Sequence, residues 1–393
     1  MSLDIKVIIN DTIDKVRELL PTVQKLDTAM TALEKTTSMS ARELTDFYAS
    51  ANDMAKGLGL TTEEIIDQAA AWSRLGFHTS EAISEMTKYS AMLAAISPDM
   101  SLSSATDAIQ SVMEAFQIGL NDTHAVLDEI LSKINIIGRA GSVSNEDIVD
   151  FLISSSEAMA KANNTLEDTI ALGTVITQIT KDAGTAGELL NTISMNLSGY
   201  REDTGGLISN AKALSVTIAD LTKTASTPDG IHLFSDEAYT QCKSTRQLLQ
   251  EISEIYDQLS DSDRVALLEV IAGKNNMQTV ADLLGNFDAV GFSLDSMAAS
   301  AGNAQADMAA AMDTIEFKLN QLKETQTGIL QNIFDREEVK AILDIILSLG
   351  NGLERLTGIL GSFGSVGVGI GLLAGIKNVG GDQVDSLNHF CFE

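Results

Sequence analysis

From about Leu60 to Tyr200 apolar positions recur at helical spacing, and the rest of the chain is organised around that stretch. Ile65, Ala69 and Trp72 form one stripe, Met86 and Leu93 belong to a second, and Ala105, Ile109, Val112 and Phe116 make a third. Residues three, four and seven apart share one face of a helix, so each stripe predicts an amphipathic helix with that face on a core. Polar caps announce the helices. Thr61-x-x-Glu64, Ser144-x-x-Asp147, Thr165-x-x-Asp168 and Ser260-x-x-Asp263 have capping-box spacing. The hydroxyl accepts the N–H three residues on, and the acid there answers the positive end of the helix dipole. Gly76, Pro98, Gly119, Gly138-Arg139-Ala140-Gly141, Asn163-Asn164 and Gly184 punctuate the stretch. Their spacing, roughly twenty residues, suits helical hairpins and is too loose for tetratricopeptide or HEAT repeats.

The pattern predicts an all-α chain: an irregular array of amphipathic helices with a long C-terminal helix and a Gly-rich apolar tail. Residues 1–56 read as an N-terminal helical arm, with Ile13, Val16, Leu19, Leu20, Val23 and Leu26 near heptad spacing and Pro21 bending or starting a helix. Gly57-Leu58-Gly59 closes the arm, and residues 57–200 form the helical array. Residues 201–236, with Gly205-Gly206 and Pro228-Asp229-Gly230, read as a loop-rich linker. Residues 237–330 form a second helical region: Leu248–Leu284 resumes helix, and Ala289–Leu330 is alanine-rich and predicts one long helix. Residues 331–393 are the apolar, Gly-rich C-terminal segment. The strand signal is thin, a weak alternation over Asp4–Asn10 and a short extended piece at Ile231–Phe234.

Composition narrows the function classes. The chain has 393 residues, 44% of them hydrophobic but only 5% aromatic, which suits helix-on-helix packing through small side chains. Three prolines, Pro21, Pro98 and Pro228, leave long helices possible. A net charge of −29 argues against binding a nucleic-acid backbone in a basic groove, so direct sequence-specific recognition of nucleic acid is not expected. Cys242 and Cys391 have no metal or redox spacing, which makes a reducing compartment the default. Met1–Asn10 lacks the apolar run of a secretory leader.

Motifs that mimic chemistry fail on context. Gly369-x-Gly371-x-x-Ala374 has no preceding strand, and Ala272-Gly273-Lys274 lacks the leading glycine and following hydroxyl of a phosphate loop. His78, His124, His232 and His389 have no ligand spacing. Glu63-Glu64 and Glu337-Glu338 stand at helix starts, where the dipole accounts for them. Trp72 reads as core, and Met86, Met92 and Met113 as gap fillers. No catalytic, cofactor-binding or metal-binding residue is expected, and no enzyme. The one stretch of functional interest is Thr357–Ile376, uncharged between Arg355 and Lys377. At ~20 residues it is long enough to cross a bilayer as a helix. Its candidate membrane-insertion residues are Thr357, Ile359, Leu360, Phe363, Val366, Val368, Ile370, Leu372, Leu373 and Ile376. The competing reading is a flexible apolar linker or the start of a buried segment.

Several short motifs, in order, give the chain a family resemblance. Ala71-Trp72-Ser73-Arg74-Leu75-Gly76-Phe77 with Ser80-Glu81-Ala82 resembles the opening of the core domain in tail tape measure proteins of long-tailed bacteriophages. The likeness continues at Asn135-Ile136-Ile137, at Ser144 with Asp147-Ile148, at Ile271-Ala272-Gly273-Lys274-Asn275 and at Ser300-Ala301-Gly302-Asn303-Ala304. The resemblance covers roughly residues 40–380 and implies a structural role. Several copies would lie along the tail axis, bound first by tail assembly chaperones, with tail tube protein polymerising around them and helical extent setting tail length. During infection the protein would be expelled from the tail, and its apolar segments would help DNA cross the host membrane. The expected location is the virion tail, with the host cytoplasm during assembly and membrane insertion on infection, in a free phage or a prophage. Family members are commonly longer, so a truncated or partial chain is expected, and Gly380-Gly381-Asp382 departs from the basic residue expected there. The alternatives are a membrane-active helical protein such as a pore-forming toxin, and a helical adaptor.

Overall fold

The computed structural model describes residues 5–327, excepting 98, 119–122, 141–142, 199–206, 237–240, 300–303, 305–306, 310–311, 315–317 and 326. The chain divides into two units, Ala29–Thr325 and a second made of Met1–Thr28 with Gln326–Glu393. Of the second unit the described part is the helical run 5–28 and Thr327.

The all-α reading holds. Among the described residues fourteen α-helices lie between residues 5 and 298: α1 (Ile5–Thr36), α2 (Ala41–Leu58), α3 (Thr62–Arg74), α4 (Ser80–Ala95), α5 (Leu102–Ala115), α6 (Thr123–Arg139) and α7 (Asn145–Lys161) come first. They are followed by α8 (Leu166–Thr180), α9 (Ala183–Leu197), α10 (Leu207–Leu221), α11 (Thr245–Ile255), α12 (Asp261–Ala272), α13 (Met277–Gly285) and α14 (Asp288–Ala298). Residues 318–325 are helical as well. Among the described residues the only extended pairing is an isolated antiparallel bridge between Phe234 and Cys242, next to the short extended piece expected at Ile231–Phe234.

The caps do what their spacing asks. Reciprocal capping boxes close at Thr61–Glu64, Ser144–Asp147 and Thr165–Asp168, and also at Ser40–Glu43 and Ser244–Gln247. At Ser260 the hydroxyl accepts the Asp263 amide and donates to the same residue's carboxylate. Gly59 takes the left-handed conformation and ends α2 where the arm was expected to close. All three predicted stripes face inward: Ile65, Ala69, Trp72, Met86, Leu93, Ala105, Ile109 and Val112 are buried, with Phe116 packed at the edge. One apolar cluster runs from Trp72 to Ala304, so residues of the array, the expected linker and the second helical region share a core.

At its centre α7 and α9 run side by side in the same direction. Ser154 lies against Gly187, and further along both helices the Ser194 hydroxyl meets the Met159 sulfur at 2.9 Å. α8 connects them by returning antiparallel, and Gly173 on α8 lies against the ring of Phe151. Glycine at each crossing lets a helix backbone come close to a neighbour's side chains.

Four expectations need correction. Residues 201–236 are more than loop, because α10 occupies Leu207–Leu221 and buries Ala211, Ile218 and Ala219. The loop after it is pinned by side chains of α10: the Ile231 amide donates to Thr222 Oγ1 at 2.7 Å and the Leu233 amide to Ser215 Oγ at 3.1 Å. The glycines and proline of this stretch signal turns, and the apolar spacing of α10 lies between them. Leu248–Leu284 does resume helix, as three helices and a 3₁₀ turn (Tyr256–Gln258) divided where Ser260 and Gly273 cap. Ala289–Leu330 is not one helix: α14 ends at Ala298, and residues 312–314 form a turn and bend before residue 318. Alanine propensity favoured continuation, but Asp313-Thr314 supplies turn and cap chemistry, and the Lys318 amide donates to the Thr314 carbonyl at 3.1 Å. The break expected at Gly184 lies at Lys181-Asp182, where Lys181 adopts a left-handed conformation and Asp182 caps α9. The weakly alternating Asp4–Asn10 is helical from Ile5.

Candidate functional site: polar joints between the helices

Buried polar side chains gather where helices meet. At the first such joint Asn145 opens α7 and donates to the Ile96 carbonyl at 3.3 Å, to Ser97 Oγ at 3.1 Å and to Asn135 Oδ1 at 3.3 Å. Asn135 on α6 in turn donates to Asp307 at 2.6 Å, and Arg139 pairs with the other oxygen of that carboxylate at 2.9 Å. Four pieces of chain, from residue 96 to residue 307, are tied by one run of hydrogen bonds. Gly138 leaves room for it, because a Cβ there would fall 2.0 Å from Asn145 Oδ1.

The second joint orders the start of α8. Asp168 closes the α8 capping box, and Arg246 at the start of α11 brings its Nε within 2.6 Å of Asp168 Oδ1. The approach lies off the N–H direction, so charge attraction rather than a directed hydrogen bond holds the pair. Asn164 accepts the Arg246 amide at 2.9 Å, and Asn163, at φ 57°, donates to the Cys242 carbonyl at 3.0 Å. Beside it Lys133, buried on α6, donates to Glu129 and to Glu167. Burial alone would lower the Lys133 ammonium, but its two carboxylate partners outweigh that and hold it above the ordinary lysine range. Burial likewise works against the Glu167 carboxylate, and Lys133 overcomes it, leaving the acid below its usual range.

These shifts set a pH window. A depressed carboxyl adds stability that is full above its unfolded value, about 4.3, and is lost as pH falls through the folded value. A raised lysine adds stability that is full below about 10.4 and is lost as pH rises further. Replacing Lys133 by methionine is therefore expected to cost about 1–3 kcal/mol near neutrality, since it strands a half-buried acid. The deficit against the wild type should shrink below about pH 4, as Glu167 takes up a proton. Urea titrations of both proteins at pH 7 and pH 3.5 check this. Taking the difference matters, because Glu146 and Asp150 shift the opposite way. Burial and then neighbouring acids push both up: Asp150, Asp99 and Asp147 around Glu146, and Asp147 and Asp182 around Asp150.

The residues that suggested chemistry occupy structural places. Glu63 and Glu64 lie in the first turn of α3, with Glu64 closing the capping box. Gly273, in the sequence that mimics a phosphate loop, caps α12 at φ 69° and gives its N–H to the Glu269 carbonyl, while Lys274 pairs with Glu269 at 3.5 Å. His78 and His232 are exposed, and Trp72, Met86, Met92 and Met113 are core. Among the described residues no group of three or more His, Cys, Asp or Glu is placed to hold a metal. The stretch Thr357–Ile376, with Thr357, Ile359, Leu360, Phe363, Val366, Val368, Ile370, Leu372, Leu373 and Ile376, lies outside the described residues, as do Glu337-Glu338, Gly369-x-Gly371 and His389. Among the described residues no helix is long and apolar enough to cross a membrane.

The motifs that carry the family resemblance fall on joints. Trp72 is fully buried, Gly76 turns the chain at φ 100°, Asn135 binds Asp307, and Ser144 with Asp147 caps α7. The Ile271 carbonyl accepts from Asn196 on α9 at 3.0 Å, and Ala304 is buried. A family model described as phage-related minor tail protein matches residues 48–273. The chain belongs to that family. The match covers the helices from α2 to α12 and thus most of the unit Ala29–Thr325. It makes this minor tail protein a structural component of a phage tail, and its joints are where that structure is held. No solved structure matches the chain.

Proposed function

We propose that this minor tail protein determines tail length, serving as the scaffold around which tail tube protein polymerises. The observation that carries the reading is the family match over residues 48–273. An all-helical chain suits the task, because a helix rises ~1.5 Å per residue and so converts residue count into distance. The folding pattern limits where that conversion can operate. Within Ala29–Thr325 the helices turn back on one another, so their residues do not add end to end. Residues beyond that unit are the ones whose number would register in tail length. Tail assembly chaperones, tail tube protein and further copies of the chain are the partners this reading calls for. A net charge of −29 also suits a tube through which DNA passes without adhering. Transfer of DNA across the host membrane with the help of Thr357–Ile376 belongs to the same proposal.

The test is an in-frame deletion of residues 331–356 in a phage whose tail carries this chain, with virion tails measured by electron microscopy. Its ~26 residues correspond to about 40 Å of helix, and tails shortened by that amount are expected. Tails of unchanged length would refute the length-setting role.

A further inference from the structure

Residues 318–325 are docked the wrong way round for an amphipathic helix. Leu319 and Leu322 are 55% and 58% exposed, whereas the one buried side chain of the run is a carboxylate, Glu324, at 5%. Glu324 reaches the N-terminus of α3, where its Oε2 accepts the Thr62 amide at 3.0 Å and the Thr62 hydroxyl at 2.6 Å. Its backbone carbonyl accepts from Asn52 at 2.9 Å, and Asn52 also donates to Thr62 Oγ1 at 2.9 Å. One turn earlier Asn320 donates to the Gly59 carbonyl at 3.1 Å. The positive end of the α3 dipole suits the charge. The side chains that bond to it from beneath, Asn52 and Thr62, are polar.

We propose that residues 318–325 are a releasable strap, latched by Glu324 onto the start of α3 and opening as one piece while the remaining helices stay folded. With Leu319 and Leu322 both more than half exposed, the segment buries little of the apolar surface that is the main favourable term holding helices to a core. Once the segment lifts, Asn52, Thr62 and the Gly59 carbonyl bond to water instead, so opening costs only the modest net worth of these hydrogen bonds. The turn and bend at residues 312–314 give the strap a place to pivot. Local opening of a segment with few apolar contacts is the behaviour expected of the least stable part of a fold. The inference does not depend on tail-length determination.

Hydrogen exchange of the full chain, read by mass spectrometry, tests the strap. Amides of residues 319–325 are expected to exchange at least 100-fold faster than those of the buried turns of α8, yet slower than an unfolded peptide. Glu324→Ala should speed the strap about tenfold and leave α8 unchanged. Asn320→Ala, which removes no buried side chain, should act in the same direction and serves if Glu324→Ala does not fold. Strap exchange as slow as α8, or acceleration of both together, would make the segment an integral part of the unit and overturn the proposal. Exchange at the rate of an unfolded peptide, indifferent to both substitutions, would mean no latch exists and overturn it equally.

Discussion

Replacing Trp72 by alanine is expected to lower the stability of the helical unit by about 3–5 kcal/mol. The side chain is fully buried, and its ring meets Phe77 edge-on at 5.2 Å with an interplanar angle of 79°. Its indole N–H donates to Ser90 Oγ at 2.9 Å, tying α3 to α4. Ser90 keeps a partner without it, because its own hydroxyl donates to the Met86 carbonyl at 2.7 Å. The loss is therefore mainly one of packing, with a cavity left where α3 and α4 meet. Trp72→Phe, which keeps an aromatic ring, should lose less than half as much. Urea unfolding must be followed by circular dichroism here, since Trp72 is the only tryptophan and fluorescence goes with it. A loss below about 1 kcal/mol would mean the site is not the packed core described.

The other large effect is expected at the contact between α7 and α9. A Cβ on Gly187 would fall 1.9 Å from Ser154 Oγ and 3.0 Å from both Cα and the carbonyl oxygen of Phe151. The serine can rotate away, but the backbone of α7 cannot. Overpacking by single methylenes already costs about 1–3 kcal/mol, and Gly187→Leu adds a whole side chain where two helix backbones meet. The variant should be destabilised by about 3 kcal/mol or more, with α7 and α9 forced apart. Gly184, one turn earlier, provides the control. Its Cβ would meet nothing nearer than Asp182 Oδ1 at 3.6 Å, and alanine there should be neutral or stabilising by up to about 1 kcal/mol. Thermal unfolding of the two variants side by side checks the contrast, and equal melting temperatures would contradict the close parallel packing.

Much of this fold is legible in single residues and their near neighbours. A hydroxyl and an acid three residues apart define a cap locally, which is why Thr61, Ser144 and Thr165 stand where their spacing puts them. The box at Ser40 carries the same signal, and that at Ser244 its neutral variant with Gln247 in place of the acid. Buried stripes follow from helical period, so Trp72 and Ile109 were equally plain. What local pattern does not carry is competition between signals. Gly184 suggested a helix end, yet a glycine fits inside a helix when Lys181 and Asp182 have already made the turn. Pairings over long distances are also invisible in sequence. Glu324 reads as one more surface acid until its partner Thr62, 262 residues away, is known. The joint of Asn135, Asn145 and Asp307 is hidden in the same way, since each residue alone looks like ordinary helix polarity.

In the proposed length-setting role, the folded unit is a body of fixed size and the residues beyond it count toward tail length. The most direct test of that role compares two insertions of the same segment, a duplicate of residues 331–356. One is placed after residue 330, beyond the unit, and the other after Ala225, an exposed position in the loop that follows α10. Virion tails measured by electron microscopy should lengthen by about 40 Å for the first and stay at wild-type length for the second. Tails of unchanged length in both phages, or lengthened equally in both, would contradict it.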